Sequence, residues 1–421
     1  MTPNRLHRTL ILISLTLMPG TMAAQVVTLP EALARARGIS PTVRAAASAA
    51  AAAREAERQA RAFPNPTLSA DLERTTRDGL DNTVSSFRLA QPLDLWGTRA
   101  HQHEAAALRR EAAEAALLAA ETALDTAVVR AWAGAGAAGE RVSLLERVVA
   151  AFDSAERVSR ARLEADDVSG YSHRRLRLEA ARYAAAQAEA RLELDRFRRT
   201  LIRLLRQPGD TGSLVLPSHL SVRPWQPDLA ELRAGLAQRP DLRVAELTAA
   251  SQAATAEAVA RSRIPVPVLI GGYKAEQVPG ESRSYTGFVA GLALPIPLWD
   301  RRAGARGEAE AEVERSQWEA EAGRRAAAGE LDLAWEALRT ANGQAEALSA
   351  RLDADAALAL NALAVAWREG ELSLLEWLDG VRAWHDAFAA LVTIQAERLI
   401  RQAALAAAAG RPVTQTLMEA P

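Results

Sequence analysis

Two carboxylates and one guanidinium group in the last fifth of the chain have a spacing that could act on ions. Glu376 and Asp379 lie three residues apart in the stretch EWLDG, and Arg382 follows three residues later. Residues three apart share one face of a helix, so the two carboxylates would form an acidic patch, and Arg382 could form a salt bridge with Asp379. The alternative interpretation is a set of solvated charges on an exposed helix.

No other group of residues suggests catalysis or metal binding. The chain has no cysteine, and of its six histidines only His101 and His103 are close in sequence. An i, i+2 pair points to different faces of a helix and makes a poor metal site. Phosphate-binding loops, dinucleotide fingerprints and nucleophile elbows are missing from the sequence. We therefore expect no enzymatic activity, no cofactor and no metal site.

Charge and the N-terminus indicate an exported protein. The formal net charge is −1, which gives no electrostatic reason to expect a nucleic-acid partner. Arg5 and Arg8 precede the apolar run Leu10–Met18, and small residues follow up to Ala24. This order is typical of a signal peptide, predicted over residues 1–24. The apolar run is too short to span a bilayer, which takes about 20 residues.

The rest of the chain contains an internal duplication. LAQPLDLWG at 89–97 and LALPIPLWD at 292–300 share Leu, Ala, Pro, Leu and Trp at matching positions. A proline pair precedes each segment, FPNP at 63–66 and IPVP at 264–267. We predict a first repeat over 25–210, a linker over 211–228, a second repeat over 229–410 and a C-terminal tail over 411–421. This period is far longer than that of solenoid repeats.

Each repeat is predicted to begin with short helices and to end with long ones. The stretches Leu29–Ala62 and Leu229–Ser262 each carry one X-Pro pair that divides a helix. From Asp300 to Arg368, apolar residues recur at the three, four and seven spacing of a coiled coil. The sequence therefore predicts one continuous helix of about 100 Å in the second repeat.

Between the short and long helices, the pattern changes to that of strands. Residues 66–74 and 83–91, and then 266–274 and 284–294, alternate apolar and polar side chains across polar turns such as TTRDGLDN. Such alternation is typical of membrane-spanning strands. Open sheet edges are not tolerated in lipid, and small barrels need about eight strands. Four strands would then be one share of a barrel that other copies complete; the alternative is a soluble hairpin pair lying on the helices.

A second matched feature interrupts the far end of each long helical span. The first interruption contains Asp166, Asp167, Val168 and Ser169, and the second contains Gly370, Leu372 and Ser373. Aspartate or glycine would end one helix, and serine would cap the next. Both interruptions are predicted to be tight turns between antiparallel helices.

The order of these elements resembles the TolC family of outer-membrane efflux and secretion channels. The segments FPNP, QPLDLWGTR and LPIPLWDRRAG are most similar to the branch that serves heavy-metal efflux pumps. The resemblance implies a mixed α and β membrane protein in the outer membrane with a large periplasmic extension. In a homotrimer, four transmembrane strands per protomer would share a 12-stranded barrel, and the long coiled-coil helices would form a periplasmic tunnel.

The resemblance also implies roles for individual residues. EWLDG matches the acidic element that lines the family's tunnel entrance, so Glu376 and Asp379 would form rings of carboxylates, with Arg382 holding the closed state. The two turns that contain residues 166–169 and 370–373 would contact the periplasmic adaptor. Trp96 and Trp299 would lie at the membrane–water interface, where amphipathic aromatic residues are enriched; the alternative is that each is a packing residue.

Taken together, the expected function is that of a passive exit duct of a tripartite efflux system. Its partners would be a membrane-fusion adaptor, an inner-membrane pump of the RND type and outer-membrane lipid. Heavy-metal cations are one candidate substrate. The alternative function is a soluble periplasmic coiled-coil scaffold or adaptor.

Overall fold

The computed structural model describes residues 27–206, 220, 222–352 and 354–419. The predicted signal peptide and most of the predicted linker lie outside these residues. Within them, the chain folds into long helices and one small four-stranded sheet. None of the helices in this described part combines the length and the apolar character needed to cross a bilayer.

The short helices form where the X-Pro pairs predict them. In the first repeat they are α1 (Leu29–Ile39) and α2 (Pro41–Arg61). Ser40 caps α2 with its side chain, and Pro41 follows at the first helical position, where it costs no backbone hydrogen bond. In the second repeat, α5 (Leu229–Gly235) runs into a 3₁₀ turn, and α6 (Pro240–Arg261) follows.

The four strands pair in chain order into one antiparallel sheet. They are β1 (Thr67–Arg77), β2 (Leu80–Pro92), β3 (Val268–Gln277) and β4 (Tyr285–Ala293). The eight-residue turn predicted for the first hairpin is wrong. Asp78 and Gly79 both have positive φ and make a two-residue turn. β1 and β2 therefore extend up to the residues that flank this turn.

The long helices differ between the repeats. In the first, α3 (Thr98–Glu164) is continuous and turns into α4 (Gly170–Leu205). In the second, α7 (Ala303–Ser349) ends, and α8 (Ala354–Glu369) continues toward the turn before α9 (Leu374–Ala408). The predicted continuous helix from Asp300 to Arg368 is therefore wrong. Its apolar periodicity passes through the break, and no proline or glycine marks it. A short helix, α10 (Val413–Glu419), lies in the predicted tail.

The helices pack in the same order at two levels. Next to the sheet, α2 packs on α3, α3 on α6, and α6 on α7. Farther from the sheet, α4 packs on α3, α3 on α9, and α9 on α8. Alanine fills many of the contacts between them, for example Ala131, Ala133, Ala135 and Ala138, which are all buried in a stretch of α3 that is covered nearly all round. Such small residues let helices approach closely and form a thin layer rather than a thick core.

Candidate channel wall and entrance

The sheet has an apolar face and a polar face. On one face, the register places Ala70, Phe87, Tyr273 and Phe288 opposite one another in successive strands. The large apolar side chains on this face are exposed: Leu68, Leu72, Phe87, Leu89, Leu269, Tyr273, Phe288 and Leu292. A continuous exposed apolar surface of this kind marks contact with lipid or with another protein.

The other face of the sheet carries a polar network that crosses three strands. Arg88 on β2 lies 3.5 Å from the carboxylate of Asp71 on β1. On β3, Lys274 lies 3.3 Å from Glu276, whose Oε1 accepts a hydrogen bond of 3.1 Å from Asn82 on β2. Successive side chains along each strand thus point alternately to the apolar and the polar face, a pattern also found in the wall of a water-filled barrel.

Both edges of the sheet are open. β1 pairs only with β2, and β4 pairs only with β3 within the described chain. An edge strand presents unpaired N–H and C=O groups along its length. The sheet is therefore an incomplete structure that can be extended at β1 and at β4.

The two repeated segments at 89–97 and 292–300, called the Pro-Trp segments after their shared Pro and Trp, connect the sheet to the long helices in different ways. Trp96 is 41% exposed, and its indole Nε1 donates a 2.9 Å hydrogen bond to the carbonyl oxygen of Pro265 in the other repeat. Its counterpart Trp299 is 92% exposed. Asp94 caps α3 by accepting hydrogen bonds from the backbone N–H groups of Thr98 and Arg99. The predicted role of both Trp side chains at a membrane interface stays a prediction.

At the opposite end of the molecule, the two helix turns have the same local structure. Asp166 and Gly370 have φ of +62° and +82° and end α3 and α8 in the left-handed conformation. The next residue in each turn, Asp167 or Glu371, donates its N–H to the carbonyl oxygen five residues earlier, at 2.8 and 2.9 Å. Such bonds satisfy carbonyl groups that a helix end leaves unpaired. Ser169 and Ser373 cap α4 and α9, as the sequence predicts.

The acidic residues near the second turn have different surroundings. Glu376 accepts hydrogen bonds from the backbone N–H and the hydroxyl of Ser373, at 2.8 and 2.6 Å, and so completes a capping box. The hydroxyl and backbone hydrogen bonds from Ser373 lower the pKa of the Glu376 carboxyl below its ordinary value. Asp379 is well exposed and has no such local role. Of the two carboxylates, Asp379 is the freer to meet an ion.

Arg382 connects the second helix pair to the first. Its Nη1 lies 3.9 Å from Asp379, the predicted partner, and its Nη2 lies closer, 3.4 Å, to Glu179 on α4. A second arginine makes a similar connection from the other side. Arg162 on α3 donates a 3.0 Å hydrogen bond to the carbonyl oxygen of Arg368 and stacks over the ring of Trp367, 5.3 Å from its centre. Both arginines thus join the two helix pairs beside the turns.

An aromatic core supports this end of the bundle. Trp377 is fully buried and packs edge-on against Phe152 of α3, with ring centres 4.9 Å apart. Phe152 also contacts Tyr183 of α4 at 5.1 Å, so one ring joins three helices. Burial, with a contribution from Asp386, raises the pKa of Tyr183. These contacts fix the start of α9, and hence the position of Asp379.

The described residues contain no group of three or more His, Cys, Asp or Glu side chains arranged to hold a metal ion. His101 pairs with Glu104 at 3.2 Å, and His103 lies 3.4 Å from Glu57. Glu179 and Arg162 could not be predicted from the sequence, because their partners lie about 200 residues away and no local pattern marks them. The aromatic core could have been suspected from the concentration of Trp residues in 367–384.

Comparison with known proteins gives consistent results. Residues 232–411 match the family described as outer membrane efflux protein. The chain is 27% identical over 373 residues to the cobalt-zinc-cadmium resistance protein CzcC of Cupriavidus metallidurans, with 87% of this chain and 85% of that protein covered.

Solved structures share the fold. The outer-membrane channel OprN superposes with a TM-score of 0.76 at 22% identity, covering 92% of this chain and 90% of that one. The outer membrane protein VceC of Vibrio cholerae superposes with a TM-score of 0.75 at 18% identity, covering 91% of this chain and 96% of that one. Together with the family match, they favour a channel over a soluble scaffold. Over residues 232–411 the chain is thus similar in sequence to the outer membrane efflux protein family, and its fold is shared with outer-membrane channels such as OprN and VceC.

Proposed function

We propose that three copies of this chain close into a ring and form the exit duct of a tripartite efflux system, through which substrates pass passively from the periplasm to the exterior. The observation that carries the proposal is that the protomer has two open edges at every level. At the sheet the edges are β1 and β4; next to it, the outermost helices are α2 and α7. One edge always belongs to the first repeat and the other to the second. Such edges join head to tail, and a head-to-tail interface forms a ring when the rotation closes.

The outer helices farther from the sheet carry side chains suited to such contacts. On α4, Tyr171, Leu178 and Leu192 are exposed, and their spacings are multiples of seven residues. On α8, the exposed side chains of Leu358 and Val365 also lie seven residues apart. Seven-residue spacing of exposed apolar side chains is typical of a coiled-coil seam that lacks its partner.

The character of the sheet supports three copies rather than two. Two copies would give eight strands, and a barrel of eight strands is just wide enough to be filled by side chains. The polar face of this sheet carries short and charged side chains, including Ser86, Asp71 and Lys274. Glycines at 272, 287 and 291 lie on the same face. Three copies give 12 strands and a wider interior, which suits a polar face in contact with water. The apolar face would then meet outer-membrane lipid, with Trp96 and Trp299 near its periplasmic border.

The opposite end would be the periplasmic entrance. In a symmetric ring, each Asp379 and Glu376 contributes one of three carboxylates, and such rings favour cations. Arg382 and Arg162 would hold the entrance closed by joining the helix pairs. The turns 166–169 and 370–373, including Val168 and Leu372, would meet a periplasmic adaptor. An inner-membrane pump, of the RND type in our proposal, would supply the energy.

Heavy-metal cations are the substrate that we propose. Support comes from the similarity to a cobalt-zinc-cadmium resistance protein and from the acidic residues near the proposed entrance. Transport would need no fixed metal site in the duct, because specificity can reside in the pump.

The test begins with the mass of the native protein extracted in mild detergent and with its membrane fraction. We expect a trimer in the outer membrane that conducts ions in planar bilayers. In the variant Glu376→Ala with Asp379→Ala, we expect a higher conductance and a weaker preference for cations. A soluble monomer would overturn the proposed duct, whereas a trimer with unchanged conductance and selectivity would remove only these residues from the entrance.

A further inference from the structure

The junction between the two hairpins contains a joint made of two hydrogen bonds. At the end of β2, the indole Nε1 of Trp96 donates to the carbonyl oxygen of Pro265, at 2.9 Å. Beside it, the backbone N–H of Leu93 donates to the carbonyl oxygen of Pro267, also at 2.9 Å. The Pro-Trp segment of the first repeat is thus fastened to the proline pair of the second, where β3 begins.

The internal duplication supplies a second set of the same groups, which the described chain does not join to one another. Trp299 and Ile296 occupy the positions of Trp96 and Leu93, at the end of β4. The first proline pair, Pro64 and Pro66, occupies the positions of the second pair, at the start of β1. β4 and β1 are the two open edges of the sheet, so this second set lies at opposite sides of the protomer.

The second set is exposed, and its proline pair is already positioned. Trp299 is 92% exposed, and Phe63, next to Pro64, is 80% exposed. Arg99 donates hydrogen bonds of 2.9 and 2.8 Å to the carbonyl oxygens of residues 61 and 62, and its guanidinium group lies 4.1 Å from the centre of the Phe63 ring. The proline pair is therefore held in place by its own repeat while its outer side stays exposed.

From this geometry we infer that the joint is repeated between copies. The indole Nε1 of Trp299 donates to the carbonyl oxygen of Pro64 of the next copy, and the N–H of Ile296 donates to the carbonyl oxygen of Pro66 of that copy. The Pro64 oxygen already accepts a 3.1 Å hydrogen bond from the side chain of Gln91, and its second lone pair serves the indole. The inference rests on the proposed ring and defines its interface residue by residue.

The same transfer defines the strand register between copies. Within the chain, Leu89 pairs with Gly271. Replacing each by its counterpart in the other repeat pairs Leu292 with Ala70 of the next copy, and the two pairs that follow are 291 with 71 and 290 with 72. The side chains provide a check, because a slip of one residue would turn an apolar face toward a polar one. Leu292 and Ala70 both belong to the apolar face, so the transferred register keeps the two faces continuous.

Because the chain contains no cysteine, disulfide trapping can test this register without background. The matched variants are Gly291→Cys with Asp71→Cys, and Ala290→Cys with Leu72→Cys. Successive pairs in an antiparallel ladder alternate between wider and closer Cα spacings of about 5.5 and 4.5 Å, both within reach of a disulfide. The control, Gly291→Cys with Glu73→Cys, is shifted by two residues, and its diagonal distance of about 7–8 Å is out of reach.

We expect covalent trimers on non-reducing gels for at least one matched variant and none for the control. Cross-linking of the control alone, or of no variant although each has the native trimer mass, would overturn the inferred register while leaving the proposed duct intact. Absence of a trimer in the native protein would instead refute the proposed duct itself.

A second measurement does not depend on cysteines and covers the case in which those variants fail to assemble. Trp299→Phe and Trp96→Phe each keep an aromatic ring and remove one indole donor. Three identical bonds between copies are lost in Trp299→Phe, so the half-life of the trimer in heated SDS should fall about tenfold or more. Trp96→Phe, which acts within a protomer, should leave this half-life within about twofold. Equal half-lives in the two variants would overturn the joint between copies.

Discussion

The contact of Arg382 with Glu179 gives a quantitative prediction for opening of the proposed entrance. The pair joins α9 to α4 at 3.4 Å, with 44% of the arginine and 20% of the glutamate side chain exposed. A partly exposed pair of this kind contributes about 0.2–1 kcal/mol. If three symmetric copies open together, the contributions add to about 0.6–3 kcal/mol. Arg382→Gln should therefore raise the ratio of open to closed channels about 3- to 140-fold.

Single-channel recording in planar bilayers measures this ratio directly. Glu179→Gln is the matched variant, since it removes the same ion pair from the other side. The double variant should open no more than the more open single variant, because one interaction cannot be lost twice. High salt should raise the open probability of the native channel and leave Arg382→Gln almost unchanged, since screening weakens exposed pairs. Additive effects of the two substitutions, or an unchanged open probability in Arg382→Gln, would refute the role of this pair.

Three further predictions concern the helices. Asp125 on α3 is 1% exposed, and its carboxylate is bound by the guanidinium group of Arg37 on α1, so Arg37→Leu should lower the free energy of unfolding by about 3–5 kcal/mol because it leaves a buried charge unpaired. The double variant Arg37→Leu with Asp125→Leu should recover most of this stability in thermal unfolding followed by circular dichroism. A double variant as unstable as the single one would contradict this account. Trp377→Ala should lower the free energy of unfolding by about 3–5 kcal/mol because it leaves a cavity beside Phe152. Limited proteolysis of this variant should cut first near residues 370–373. Unchanged cleavage would contradict the supporting role of the aromatic core. Ser373 lowers the folded-state pKa of Glu376, so the stability that this capping residue contributes should be present above the ordinary carboxyl pKa of about 4.3 and lost as pH falls through the lowered value. Ser373→Ala should raise the pKa of Glu376 in a carboxyl ¹³C NMR titration. An unchanged pKa would contradict this cause.

Much of the architecture could be predicted because its signals are local. Pro41 and Pro240 mark helix starts through their own missing N–H, and the alternation around Phe87 and Phe288 marks strands with two different faces. The serines of the two distal turns cap helices with their own side chains. In each case, the residue that carries the signal also makes the interaction.

What escaped prediction depends on contacts between distant residues or on small backbone preferences. The end of α7 at Ser349 occurs inside an unbroken apolar periodicity, so the pattern favours a helix on both sides and cannot register the break. The partner of Arg382 proved to be nearer on α4 than on its own helix, which spacing along α9 could not reveal. Asp78-Gly79 does carry a local signal for a two-residue turn; the surrounding polar residues hid it.

The two open edges of the sheet have a consequence for the assembly pathway. A lone protomer exposes one β1 edge and one β4 edge, and two joined protomers still expose one of each. Each joining step pairs one β1 edge with one β4 edge, but every linear intermediate still exposes one of each, and only ring closure removes the last pair. In the proposed ring of three, the last protomer forms two interfaces at once whereas a dimer has only one, so dimers should stay scarce at equilibrium and complete rings should form in an all-or-none manner. Protomers that have not yet assembled would be the species most exposed to incorrect strand pairing at these edges. Rapid ring closure would therefore also protect against aggregation.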